Sequence, residues 1–271
     1  MINILIILFF LLVFEGLIYA KKLYFRLNNK YLQTLAIIQL IACPRTLSTA
    51  LMYSFAQRKD MDVVDEPFYA NYLTRTGKEH PGREDILKAQ SVDIHQQIQS
   101  FEKTSKEHLF IKNIAHHIQK LDLNYLNEYR NILYLRDPRR ILTSISKIIP
   151  NPTLLDIGIE VQFKVMKSLQ REGRSFVVLN SSDLLAKPIE MLYILCHHLN
   201  IPFDEAMLSW PAGPKPYDGI WAKHWYSSVH KTTEFGKENI SQDPLPAHLE
   251  DLCAEATFYY NQIIPHALKI D

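Results

Sequence analysis

AIIQLIACPRTLSTAL, Ala36 to Leu51, is the stretch on which the fold turns. Its first seven residues, Ala36–Ala42, are apolar and rich in isoleucine, as a strand buried on both faces requires. From Thr49 to Gln57 the pattern becomes helical. Between them stand Arg45, Thr46, Leu47, Ser48 and Thr49, a strand-to-helix loop carrying a cation and three hydroxyls. A helix N-terminus offers unpaired N–H groups and a positive dipole end, so such a loop suits an anion. Arg45 adds a planar fork for phosphate or sulfate. A plain N-cap by Ser48 or Thr49, with Arg45 in solvent, would use the same residues.

Outward from this stretch, short apolar runs alternate with longer amphipathic ones. The further runs are Met61–Val64, Leu109–Ile111, Ile132–Leu135 and Phe176–Leu179. Helical segments read over Thr49–Gln57, Arg83–Phe101, Arg139–Ile149 and Ile159–Arg171. A run this short does not separate strand from buried helix, so the reading rests on the alternation. It predicts an α/β fold of three layers, with a central parallel five-stranded sheet flanked by helices. Polar residues follow each predicted strand: Arg45-Thr46, Asp65-Glu66-Pro67, Lys112-Asn113, Arg136-Asp137-Pro138 and Asn180-Ser181-Ser182-Asp183. Ligands of open α/β sheets bind at that carboxyl edge, so a site is expected there.

The bulk properties narrow the classes. The chain has 271 residues, 47% hydrophobic and 22% charged, enough for one full α/β core. A net charge of +1 gives no reason to expect nucleic acid as a partner. Cys43, Cys196 and Cys253 are widely spaced and odd in number, which points to a reducing compartment rather than a disulfide framework. No metal-ligand spacing occurs, so no metal is expected. Residues 1–20 are apolar almost throughout and are followed by Lys21, Lys22, Arg26 and Lys30. One reading is a membrane anchor with the catalytic domain on the cytoplasmic side. The other is a start codon assigned too early, with the true chain beginning near Gln33. Either way, residues 1–30 are set apart as an apolar segment and basic linker, and residues 31–271 as the domain.

A second motif lies at the end of the fourth run, in YLRDPRRILTSI, Tyr134 to Ile145. Asp137 can cap and Pro138 can take the first helical position, so a helix starts there. Ser144 follows Arg136 by eight positions. Together with CPRTLSTAL, this resembles the sulfotransferases that use 3′-phosphoadenylyl sulfate (PAPS). Their RSGST-like loop holds the 5′-phosphosulfate, and an Arg and a Ser eight residues on hold the 3′-phosphate. Two further stretches agree. Val177–Leu208 is similar to the family's strand, turn and helix, with Leu199-Asn200-Ile201-Pro202 in place of its L-G-L-P exit. Gly219–Tyr226 is loosely similar to its C-terminal nucleotide loop. The loop glycine and the Arg-Lys-Gly of that last element are absent here.

The resemblance implies a P-loop-like fold over roughly residues 36–265 and a transferase. It would move a sulfo group from PAPS to a hydroxyl or amine of a small molecule or glycan. It implies that Arg45, Thr46, Leu47, Ser48, Thr49, Arg136 and Ser144 bind the nucleotide. A non-catalytic nucleotide-binding module is the alternative that the lost glycine favours. A Walker loop would need glycines and a lysine that are missing, which argues against a kinase.

Transfer also needs a base for the acceptor and a cation for the departing oxygen. Glu66 is the first choice for base, because it ends the second strand and Asp65 beside it would raise its proton affinity. Against it, Asp65 capping a helix at Pro67 would make Glu66 an ordinary first-turn acid. His116 and His117 are rival bases. Lys112 or Arg45 would serve the departing oxygen. Phe68, Tyr69, His116, Trp221 and Trp225 are candidate acceptor-pocket residues, with Tyr72 and Tyr226 as further aromatic walls and His80 and Arg83 as readers of an anionic acceptor. The helix over Ala247–Ile264 reads as core packing.

Overall fold

A computed structural model describes residues 35–236 and 243–270 of the chain. The apolar segment 1–20, and with it both readings of that segment, lies outside the described residues. Among the described residues no helix is long and apolar enough to cross a membrane. The unit described is Ile37–Asp271.

Its centre is a five-stranded sheet of β1 (Ala36–Ala42), β2 (Met61–Asp65), β3 (His108–Ile114), β4 (Arg130–Leu135) and β5 (Phe176–Asn180). The spatial order is β2-β3-β1-β4-β5, and the strands run parallel. The isoleucine-rich strand β1 is central, and every one of its residues is buried. Ile37, Ile41 and Cys43 feed one apolar layer, while Ile38, Leu40 and Ala42 feed the other. That is the alternation a strand imposes when helices cover both faces.

The helices are α1 (Ser48–Phe55), α2 (Tyr69–Thr76), α3 (Arg83–Ala89), α4 (Ile94–Ser100), α5 (Pro138–Ile145), α6 (Leu154–Ile157), α7 (Ile159–Arg171), α8 (Ser181–Ala186), α9 (Pro188–His198), α10 (Ala222–Trp225) and α11 (Glu250–Ile263). On one face α5, α7 and α11 pack through Ile141, Val165, Leu169 and Ala256. On the other, α1 and α9 pack through Leu51, Phe55, Leu192 and Leu195.

Several elements differ from the sequence reading, each for a local reason. The helix expected over Arg83–Phe101 breaks at Gln90, which is extended. The Gln90 side chain donates to the backbone carbonyl of Glu66 at 2.9 Å and accepts from the Ala70 N–H at 2.8 Å. Asp93 then caps a fresh helix by accepting from the N–H groups of His95 and Gln96. The last helix starts at Glu250, after a 3₁₀ turn over Ala247–Leu249. Asp137 and Pro138 open α5 as their chemistry predicts, with Asp137 accepting from the Arg140 N–H. No helix begins at Pro67: α2 starts at Tyr69, with no side-chain cap, and Asp65 closes β2.

The strand order places the site. From β1 the chain runs out to β2, returns through β3, and continues on the far side of β1 with β4. That reversal is the switch point where a crevice opens beyond the strand ends.

Candidate active site

Two constellations meet at this edge. The first is the loop after β1. Arg45 and Leu47 both have positive φ, 61° and 64°, a left-handed region that favours glycine. Leu47 stands where the RSGST-like loop has glycine and keeps the backbone shape that glycine would supply. Thr46 stabilises the turn from within, donating its hydroxyl to the Cys43 carbonyl at 2.7 Å. Asn200, at the glycine position of the exit from α9, behaves likewise, with φ 50°. Asn tolerates that conformation better than Leu.

The loop is tied to the second nucleotide motif. Arg45 Nε donates to Ser144 Oγ at 3.0 Å, and Arg136 donates to the Arg45 carbonyl at 2.7 Å. Residues 91 and 99 positions from Arg45 thus gather around it. Burial and the nearby Arg136 charge both push the Arg45 pKa below its ordinary value. Arg45 and Leu47 are exposed, Arg136, Ser144 and Thr49 are half-buried, and Thr46 and Ser48 are buried.

The second constellation is buried. Asp65 and Lys112 are register partners on β2 and β3, so their side chains share a face. Glu66 would point the other way if the strand continued. Its φ of 41° turns the chain back instead, and its N–H donates to the Lys112 carbonyl at 2.8 Å. Both carboxylates therefore reach one ammonium: Lys112 Nζ donates to Asp65 Oδ1 at 2.8 Å and to Glu66 Oε1 at 2.5 Å. Its third N–H goes to the hydroxyl of Tyr226 at 2.6 Å. An ammonium has three donors, so Lys112 is saturated. It could serve a departing oxygen only by releasing one of these partners.

Burial disfavours the Lys112 charge, but Asp65 and Glu66 outweigh it and hold the pKa above its ordinary value. Glu66 is pushed up, first by burial and further by Asp65, against the pull of Lys112. The direction expected from the neighbouring Asp65 is right, but burial is the larger cause.

Around the pair sits an aromatic shell. His117 Nδ1 lies 3.6 Å from Glu66 Oε2, and its ring stacks on Tyr69 with centroids 4.4 Å apart. Tyr69 shares a 2.7 Å hydrogen bond with His80 Nδ1, and the Trp225 ring lies 6.5 Å from that of His80. Trp221 packs edge-on against Tyr69 and donates its indole N–H to Tyr226 at 3.3 Å. His116 is one step further out, against Tyr72 and His117. Burial lowers the pKa of His116 to about 3 and that of His117 well below its ordinary value, so both imidazoles are neutral near pH 7.

Phe68 does not join this shell. It is fully buried in the main core against Phe101 and Tyr125. Arg83 lies at the start of α3, near the segment that carries Lys223 and His224. The sequence reading made Tyr226 an aromatic wall only, and nothing in GIWAKHWY signals its contact with a lysine 114 positions earlier. Gly219 was also passed over. Its N–H donates to Asp65 Oδ2 at 3.1 Å, and a Cβ there would lie 2.0 Å from the Trp221 ring. At the opposite edge of the sheet, Asp60, Glu107 and His108 cluster, but both Asp60 oxygens accept from Arg58.

Comparison with known proteins agrees with this architecture. The sulfotransferase domain family matches residues 35–267. The sulfotransferase domain of the curacin biosynthetic pathway superposes with a TM-score of 0.53 at 15% identity, covering 87% of this chain and 99% of its own. That of the Synechococcus PCC 7002 olefin synthase gives 0.54 at 16%, covering 84% and 95%. At such identities the likeness is one of fold. Branched-chain-amino-acid aminotransferase-like protein 1 of Arabidopsis thaliana is 34% identical over 233 residues, 85% of this chain. The chain spans 42% of that relative's length.

Proposed function

The chain belongs to the sulfotransferase domain family, and from that premise we propose that it transfers a sulfo group from PAPS to a hydroxyl or amine of a small-molecule or glycan acceptor. The observation that carries this reading is the convergence of Arg45, Ser144 and Arg136 beside a buried, proton-hungry Glu66. Arg45, Ser48, Thr49 and the loop N–H groups would hold the 5′-phosphosulfate. Arg136 and Ser144 would select the 3′-phosphate that distinguishes this donor from common nucleotides.

The roles then divide by burial. Glu66 Oε2 takes the proton of the acceptor O–H or N–H. The freed lone pair forms the new bond to sulfur. The bond from sulfur to the bridging oxygen breaks, and that oxygen keeps the electron pair. Arg45 is the cation placed to stabilise it, since every donor of Lys112 is engaged. Lys112 holds Glu66 in place. Tyr69, Trp221 and Trp225 with His116 would wall the acceptor, and neutral His117 would flank the base without competing for its charge. Positioning and charge stabilisation do most of the work, as in phosphoryl transfer.

The test is a titration with 3′-phosphoadenosine 5′-phosphate against AMP. The 3′-phosphate should improve binding by at least about tenfold, since a charge-assisted contact is worth roughly 1.5–3 kcal/mol; equal affinities would sink the reading. Glu66→Gln should keep nucleotide binding and lose about 10²–10⁴ in turnover. Retained turnover would remove Glu66 from the base role.

A further inference from the structure

We propose that Tyr226 and Asp65 are positioning residues that divide the two buried carboxylates, with the Tyr226 hydroxyl committing its proton to Asp65 and leaving Glu66 Oε2 as the open oxygen. This rests on the reading of Glu66 as the base. A phenol has one proton to give. Lys112 Nζ at 2.6 Å and the Trp221 indole N–H at 3.3 Å both approach the Tyr226 oxygen as donors and fill its two lone pairs. The proton must therefore point at a carboxylate. Asp65 Oδ2 and Oδ1 lie at 2.8 and 3.0 Å, Glu66 Oε1 at 3.4 Å. Asp65 wins on distance.

The outcome is an unequal pair. Asp65 accepts from Lys112, Tyr226 and the Gly219 N–H. Glu66 accepts from Lys112 on Oε1, and Oε2 lies 3.6 Å from Nδ1 of neutral His117. Asp65 thus gathers three donors, whereas Glu66 is buried with one strong donor, and its affinity for a proton is raised. The titratable groups facing Glu66 are Asp65 from β2, Lys112 from β3, His117 from the turn after β3, Tyr69 from α2 and Tyr226 from the end of α10. His117 and Tyr69 both stay neutral near pH 7, since burial lowers the first pKa and raises the second. Only Lys112 and Asp65 charge the surroundings, so removing a donor to Asp65 must be felt by the pair.

The experiment is the acid limb of the kcat/KM profile, paired with ¹³C NMR titration of the Glu66 carboxyl. Tyr226→Phe takes a donor from Asp65, and the limb should move up by about one pH unit. Asp65→Asn removes the negative neighbour, and the limb should move down. Placing 3-fluorotyrosine at position 226 keeps every contact while strengthening the donor. It should move the limb slightly down, and it guards against Tyr226→Phe failing to fold. Opposite shifts of Tyr226→Phe and Asp65→Asn support the division; unmoved limbs, or shifts in the same direction, overturn it. The NMR titration separates the two claims. If Glu66→Gln keeps full turnover, Glu66 is not the base, yet its carboxyl signal should still shift in opposite senses in the two variants. If the signal does not, the division itself is wrong.

Discussion

The loop after β1 and the acid pair lie at one sheet edge, yet they handle charge in opposite ways. Arg45 and Arg136 are close, like-charged and open to solvent on at least one side. An anionic ligand would reach them from outside the fold. Asp65, Glu66 and Lys112 are buried, and one ammonium serves both carboxylates within the fold. An exposed cation cluster stays ready for an anion because water screens its repulsion. A buried triad has to be complete, because an unpartnered charge in that environment is costly. Damage to the first region should therefore weaken binding, and damage to the second should weaken the fold.

The hardest test of that contrast is Lys112→Met. It leaves two carboxylates buried without their cation and should cost about 3–5 kcal/mol in chemical denaturation. A loss below about 1 kcal/mol would show that water reaches the pair. Arg136→Ala should do the reverse. Affinity for 3′-phosphoadenosine 5′-phosphate should fall roughly 10–100-fold by calorimetry, while stability changes by less than about 1 kcal/mol.

Gly219→Ala probes the packing of the buried region. Its new Cβ meets the Trp221 ring and should cost about 1–3 kcal/mol, with a change in tryptophan fluorescence as Trp221 moves. Acidification acts on the buried region alone. His116 has a folded pKa of about 3 against an ordinary 6.5, so the stability due to its neutral form is whole above about pH 6.5 and is lost as pH falls toward 3. Between pH 6.5 and 5.5 that loss should come to about 1 kcal/mol, and His116→Asn should lose less over the same interval. Smallest of all, Leu47→Gly should stabilise by about 0.5–1 kcal/mol. The relief of a left-handed Leu slightly exceeds the entropy that glycine adds to the unfolded chain.

Legibility followed the same division. The strand–loop–helix at Ala36–Phe55 and the Asp137–Pro138 helix start were readable because each is set by neighbouring residues. The lost loop glycine misled in part: sequence alone does not reveal that Leu47 accepts the backbone angle glycine would have taken. Phe68 and Tyr69 looked equivalent in DEPFYANYL, yet one entered the core and the other the site, since the start of α2 sends them to opposite sides. The break at Gln90 was invisible because the carbonyl that rewards it belongs to Glu66, 24 positions earlier.

From its sequence alone the chain determined an alternating α/β architecture, a loop of donors after a buried strand, and an Arg at a strand end with a Ser eight positions on in the next helix. Those features depend on local periodicity and on spacing along one helix. Only the tertiary structure decided that Lys112 would be saturated, that Asp65 and Glu66 would become unequal, and that Tyr226 would be the group between them. Each of those depends on which distant donors arrive at a buried oxygen, and desolvation makes the count of donors, rather than the identity of the acid, set its chemistry.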